Sequence, residues 1–193
     1  MNLKVNDIET PVGTLRIAAL EDRLCAVGFV EQWAALLSGL EQRFGGVRLE
    51  PAPDPAGASH RINAYFAGDL HALDAVRVDP GGTAFQRKVW AALRTIPVGR
   101  TASYSEVARA IGHAAAVRAV GAANGSNPIA IVIPCHRVIR SNGALCGYGG
   151  GIHRKRWLLA HEHAAVAPCR MENAAQGPFA NARPDAIAPA PQR

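Results

Sequence analysis

A cysteine, a histidine and an arginine follow one another at 135–137, directly after an apolar run that ends in Pro134. The five apolar residues at 129–133 indicate a buried strand, or a core segment too short for a helix. Proline ends such a run because it has no backbone N–H to donate. Cys135 therefore stands on a turn after a rigid segment, where a nucleophile is held in place and is accessible.

A cysteine attacks as its thiolate and needs a base or a positive charge beside it. His136 is the next residue, but neighbours on a turn often point in different directions. Taken alone, the pair fits a buried thiol beside a structural imidazole better than a catalytic pair. The other cysteines, at 25, 146 and 169, form no CxxC pair. We therefore expect reduced thiols, and neither a disulfide framework nor a zinc site.

The run Pro134-Cys135-His136-Arg137-Val138 closely resembles the active-site signature of the O6-alkylguanine-DNA alkyltransferases, which repair alkylated guanine. The resemblance covers about 83–162. Further motifs match those of the family in order and approximately in spacing. They are Pro97-Val98-Gly99, Ser103-Tyr104, Arg118-Ala119-Val120-Gly121, Asn127-Pro128, Tyr148 and Trp157-Leu158-Leu159-Ala160-His161-Glu162.

The resemblance implies an irreversible, single-turnover methyltransferase. The Cys135 thiolate would attack the alkyl carbon on O6 of guanine and keep it as a thioether. His136 would act on Cys135 through a water, and Glu162 would orient His136. Tyr104 matches the family tyrosine that donates to the base at N3. Asn127 matches the asparagine that ties a helix-turn-helix to the active-site turn.

The resemblance also implies a guanine pocket lined by Val138, Gly149, Tyr148, Cys146 and Ala130. Backbone groups near Cys135, Val138 and Gly149 would read the edges of the base. Cys146 stands where members that tolerate bulky substrates have glycine, and Ala130 stands where some have proline. We therefore expect O6-methylguanine, and also O4-alkylthymine, to be accepted, and O6-benzylguanine to react poorly.

The charge distribution indicates a polyanionic partner for the middle of the chain. Residues 83–163 carry eleven Lys or Arg and two acidic residues, a balance of +9, whereas residues 1–82 have a balance of −4. Capping boxes begin helices at Thr83 and Ser103. The second helix runs through Ile111, and a further helix at 114–123 completes a predicted helix-turn-helix.

The resemblance implies that this helix-turn-helix enters the minor groove of double-stranded DNA that contains O6-alkylguanine, with low sequence specificity. Arg118 would fill the place of the flipped nucleotide, since an O6 atom inside a duplex is out of reach of a thiol. The residues expected to contact DNA are Arg118, Ala119, Gly121, Ala122 and Asn124.

The predicted fold class is α/β (α+β), in two domains. At 1–79, strands at 2–8, 14–18, 24–30 and about 75–78 and helices at 31–44 and 59–67 suggest a scaffold. The resemblance implies that this scaffold is a small ribonuclease-H-like domain. Residues 83–163 form a mostly helical DNA-binding and alkyl-acceptor domain, with helices at 84–96 and 153–162. The Ala/Pro-rich tail at 164–193 is predicted to be disordered.

Composition narrows the function further. No run approaches the roughly 18 apolar residues of a membrane span, so we expect a cytoplasmic protein, nucleoid-associated in a bacterium. We expect a monomer with no metal and no cofactor. Two alternatives remain, a non-catalytic protein that binds alkyl lesions and a helix-turn-helix regulator. Family members that only bind lesions replace the reactive cysteine, which this chain retains.

Overall fold

The computed structural model describes residues 1–164, with side chains through Glu162. The predicted disordered tail therefore lies outside the described residues, apart from the backbone of residue 164. The chain forms two compact units. The first contains residues 1–82 together with 128–132, and the second contains residues 83–127 and the chain from 133 onward.

A mixed sheet forms the centre of the first unit, in the order β3-β2-β1-β4. Strand β1 pairs antiparallel with β2 and parallel with β4. Its strands are β1 (Asn2–Ile8), β2 (Leu15–Leu20), β3 (Arg23–Phe29) and β4 (Arg48–Pro51). The first three were predicted within a few residues, but β4 was missed, because it is short and its burial pattern does not alternate.

Two segments from other parts of the chain lie along the outer edge of β3. Leu24 exchanges backbone hydrogen bonds with residues 77 and 79, and Val27 does so with residues 128 and 130. The predicted strand at 75–78 is thus reduced to one bridge between Leu24 and Val78. The apolar run at 129–133 is likewise no full strand, because a turn with a positive φ of 70° at Ile131 interrupts it.

Helices α1 (Trp33–Phe44) and α2 (Ala58–Phe66) complete the first unit. A 3-10 turn at Val30–Gln32 precedes α1, so the predicted start at residue 31 was slightly early. Helix α1 packs closely on the sheet, and a Cβ atom at Gly28 would come within 2.2 Å of the Leu36 side chain. One core cluster joins the helix to the sheet and contains Leu3, Ala18, Cys25, Ala26, Trp33 and Leu40.

The second unit is mostly helical. Its helices are α3 (Ala84–Arg94), α4 (Tyr104–Ala110), α5 (Val117–Gly125) and α6 (Ile152–Ala164). Two short parallel strands, β5 (Ala102–Ser103) and β6 (Val138–Ile139), pair between them. One unit thus contains a mixed sheet with helices, and the other is mostly helical. This architecture confirms the predicted α+β fold class.

Both predicted capping boxes are present. Thr83 and Gln86 satisfy each other's backbone N–H groups at the start of α3, and Ser103 and Glu106 do so at the start of α4. Helix α5 begins at 117 rather than 114, because residues 113–116 form a turn. No helix in the described part of the chain is long and apolar enough to cross a membrane.

Candidate active site

Cys135 begins a single 3-10 turn (Cys135–Arg137) between the apolar run and β6. Its N–H donates to the carbonyl of Ile133 at 2.8 Å. The side-chain amide of Asn127 donates to the same carbonyl, also at 2.8 Å. Asn127, which follows the end of α5, thus contacts the backbone that carries Cys135. The thiol is buried, and only 6% of the residue is exposed.

The second and third residues of the turn bind one carboxylate. His136 Nε2 lies 2.9 Å from Glu162 Oε1 on α6. The Arg137 guanidinium binds the same carboxylate in a bidentate manner, with Nε and Nη2 at 2.9 and 2.8 Å. Its Nη1 donates to the carbonyl of Ile96 at 2.7 Å. All three side chains are buried, so the sequence neighbours and the distant acid form one network.

The network leaves His136 with one available nitrogen. Nδ1 is buried and has no hydrogen-bond partner among the described residues. Burial lowers the pKa of His136, although Glu162 opposes this effect. Burial alone would raise the pKa of Glu162, but His136 and Arg137 outweigh it and hold that pKa well below the usual range. A neutral imidazole oriented by an ionised carboxylate can act as a general base.

Lys155 is a buried cation for which the sequence predicted no role. It is fully buried on α6, and Nζ donates to the carbonyls of Val138 at 2.5 Å and Cys146 at 3.0 Å. Burial raises the pKa of Cys135, whereas Asn127 and Lys155 lower it. Lys155 lies in the basic run 153–156, which is typical of an exposed surface, so only its burial distinguishes it. Arg137 likewise has no predicted role, although it lies within the signature.

Tyr104 and Cys146 meet across 42 residues of sequence, with Cys146 Sγ 3.4 Å from Tyr104 Oη. Burial, and then the contact with Cys146, raises the pKa of Tyr104 above its usual value, so the phenol keeps its proton at neutral pH. The hydroxyl of Tyr148 is buried and has no partner among the described residues. Burial likewise raises the pKa of Tyr148, with Cys135 contributing. Gly149 is exposed on the neighbouring loop.

The remaining predicted residues divide between surface and interior. On α5, Arg118, Ala119 and Ala122 are exposed, whereas Gly121 lies against the Tyr104 ring. Asn124 is buried, and its Oδ1 has no partner among the described residues, so it does not share their exposed face. Ala130 belongs to the first unit, where its N–H donates to Val27.

The buried network predicts that acid destabilises the protein. The pKa of His136 is lower in the folded protein than the roughly 6.5 of an unfolded chain, and that of Glu162 is lower than roughly 4.3. The unfolded chain therefore binds more protons below about pH 6.5, and stability present above that pH is lost as pH falls. Urea unfolding at several pH values should show this decline.

The contribution of His136 can be isolated with two variants. His136→Asn should flatten the decline in the free energy of unfolding between about pH 6.5 and 5. His71→Ala, which removes an exposed histidine paired with Asp74, should leave the decline unchanged. Equal pH slopes for His136→Asn and the unsubstituted protein would contradict the assignment.

Comparison with known proteins gives two adjoining matches. Residues 5–80 match the sequence profile of the 6-O-methylguanine DNA methyltransferase ribonuclease-like domain. Residues 84–164 match the profile of the DNA binding domain of the same methyltransferases. The ribonuclease-like description agrees with the fold expected for the first unit.

Individual relatives agree along most of their length. The chain is 46% identical to the methylated-DNA–protein-cysteine methyltransferase of Shigella flexneri, and the match covers 84% of this chain and 96% of that protein. It is 49% identical to the protein of that name from Mycobacterium tuberculosis, over 80% and 89% of the two chains.

Solved structures extend the agreement to the fold. The crystal structure of the Mycobacterium tuberculosis O6-methylguanine methyltransferase superposes with a TM-score of 0.73 at 44% identity, covering 86% of this chain and 96% of that one. The structure of Mycobacterium tuberculosis OGT in complex with DNA superposes with a TM-score of 0.71 at 44% identity, covering 86% and 94%. With both profiles matched and these identities over most of its length, the chain belongs to the 6-O-methylguanine DNA methyltransferase family.

Proposed function

We propose that this protein repairs DNA by moving a methyl or larger alkyl group from O6-alkylguanine, and from O4-alkylthymine, to Cys135 in a single turnover. Family membership supports the reaction. The observation that carries the assignment to this chain is the buried Cys135-His136 turn, in which Glu162 binds one imidazole nitrogen and leaves the other available.

The thiol proton of Cys135 passes through a water to Nδ1 of His136, while Glu162 stabilises the imidazolium that forms. The thiolate then attacks the alkyl carbon. An S–C bond forms as the C–O6 bond breaks, and the bonding electrons leave with guanine. A proton donor must neutralise that developing anion, and Tyr104, whose phenol stays protonated, donates to N3. The thioether has no route back to the thiol, so each molecule acts once.

The guanine pocket uses backbone groups as well as side chains. Backbone groups near Cys135, Val138 and Gly149 read the edges of the base, the last through its amide N–H, and the side chains of Tyr148 and Cys146 line the pocket. Asn127 keeps the Cys135 turn in place through the carbonyl of Ile133. Because the base contacts are mostly backbone contacts, glycine at 149 is compatible with recognition.

The second unit binds double-stranded DNA through α4 and α5 as a helix-turn-helix in the minor groove. Exposed Arg118 enters the stack after the nucleotide flips, and exposed Ala119 and Ala122 allow close approach. Gly121 lies beside the Tyr104 ring. Asn124 is buried, so we do not assign it a contact with DNA.

The two domains have different roles. Residues 1–79 form a scaffold, and residues 83–163 form the DNA-binding and alkyl-acceptor domain. We expect the protein to act as a monomer. Because its substrate is chromosomal DNA, the protein must work where that DNA lies. In a bacterium this is the nucleoid, in the cytoplasm.

Intact-protein mass spectrometry tests the proposal. After incubation with a duplex that contains one O6-methylguanine, the protein should gain the mass of one methylene group, mapped to Cys135. Cys135→Ala should show no gain, while Cys25→Ala serves as a control at a buried cysteine of the first unit. Tight binding to the damaged duplex without any mass gain would instead indicate a lesion-binding protein.

The side chain at 146 should limit the size of the alkyl group. Because Cys146 adds bulk beside Tyr104, free O6-benzylguanine is expected to inactivate the protein slowly, and Cys146→Gly should accelerate inactivation at least tenfold (about 1.4 kcal/mol). The remaining activity on O6-methylguanine after timed exposure measures this rate. Rapid inactivation of the unsubstituted protein at low micromolar benzylguanine would contradict the prediction.

A further inference from the structure

The contact between Cys146 and Tyr104 is held from both sides. The Tyr104 ring lies against α5, where a Cβ at Gly121 would be 3.9 Å from its edge. The carbonyl of Cys146 accepts from the buried ammonium of Lys155, which also binds the carbonyl of Val138. The thiol and the phenol are therefore brought together by anchored parts of the chain, at 3.4 Å.

We infer that Cys146 is a positioning residue, whose S–H donates to the Tyr104 oxygen and so directs the phenol's own proton towards N3 of the bound guanine. The inference rests on the proposed function and adds a role for a residue that contacts the base only by its bulk. A phenol oxygen can accept one hydrogen bond while donating another. Once an S–H group occupies the accepting side, the O–H group points away from sulfur.

The phenol can donate to sulfur instead when it has no better acceptor. Sulfur is a weak acceptor, whereas an aromatic ring nitrogen is a strong one. When guanine is bound, the phenol O–H therefore turns to donate to N3, and the Cys146 S–H donates to the phenol oxygen, with each proton staying on its own atom. The effect is modest, because an S–H···O contact is among the weak hydrogen bonds.

The test compares two substrates in single-turnover methyl transfer. One duplex carries O6-methylguanine, and the other carries O6-methyl-3-deazaguanine, in which a carbon replaces N3. Cys146→Ala should slow transfer from the first about two- to fivefold, which corresponds to one weak hydrogen bond. It should not change transfer from the second, because Tyr104 has no acceptor there. Cys146→Gly, which also lacks the thiol, should behave as alanine does.

The outcomes separate the possible failures. Equal slowing on both substrates would make Cys146 a packing residue and overturn the inference, as would an unchanged rate for Cys146→Ala or Cys146→Gly. Unsubstituted protein that transfers equally fast from both substrates would remove the role of Tyr104, and the inference with it. Absence of any transfer by the unsubstituted protein would instead refute the proposed function itself.

Discussion

Lys155→Met is expected to slow the alkylation of Cys135 at neutral pH by about ten- to a hundredfold and to move its pH dependence towards alkaline pH. Burial already raises the pKa of this thiol, and Lys155 is one of the groups that lower it. Without the ammonium, the thiolate must form in a buried site with one compensating charge fewer. Each unit by which the pKa rises lowers the thiolate fraction tenfold when the pKa lies above the working pH.

The measurement needs no DNA, which separates thiolate formation from substrate binding. Iodoacetamide labelling of Cys135, followed by peptide mass spectrometry over a range of pH, separates the two effects, because thiolate formation changes the pH dependence of labelling and access changes its rate at every pH. Arg156→Met is a matched control, because it removes an exposed positive charge from the next position on α6. If Lys155→Met only loosened the Val138 and Cys146 carbonyls, labelling would become faster at every pH, and the electrostatic role would be wrong.

Arg137→Met is expected to lower the free energy of unfolding by about 3–5 kcal/mol, as found when one partner of a buried ion pair is removed. Two of the hydrogen bonds to Glu162 and one to the Ile96 carbonyl disappear. The buried Glu162 carboxylate keeps its contact with His136 but loses the guanidinium charge that balances it. Urea unfolding at neutral pH measures the loss.

The chain contains a matched exposed pair. Arg16 binds Asp7 with the same bidentate geometry, at 2.6 Å for both contacts, but the two side chains are 35% and 42% exposed. Arg16→Met should therefore cost about 1 kcal/mol or less. Adding Glu162→Gln to Arg137→Met should recover part of the loss, because the uncompensated charge is removed. Equal losses for Arg137→Met and Arg16→Met would show that burial does not decide the outcome.

Local patterns in the sequence predicted much of the fold. The capping boxes at Thr83 and Ser103 depend on residues three positions apart, so their helices could be placed from sequence. The start of α5 was placed too early because the alanines at 114–116 favour a helix and carry no stop signal. Strand β4 was missed because four residues with no alternation give little signal, and its pairing with β1 is decided by distant residues.

Less of the active site could be predicted from local sequence patterns. His136 and Glu162 are 26 residues apart, and only the family resemblance linked them before the structure brought them to 2.9 Å. Arginine and lysine are usually exposed, so the sequence alone provided no reason to assign Arg137 and Lys155 to the site. Their roles follow from their burial, which depends on the whole fold. The contact of Cys146 with Tyr104 spans 42 residues and likewise has no local signature.

The two segments along β3 have a consequence for the solubility of fragments. An uncovered edge strand presents unpaired N–H and C=O groups to other chains and promotes aggregation. Residues 77–79 cover part of this edge, but the groups of Val27 are satisfied by residues 128 and 130. A fragment that ends at residue 82 would expose them on an apolar strand. Such a fragment should therefore self-associate through β3, whereas the full chain carries its own protection against that pairing.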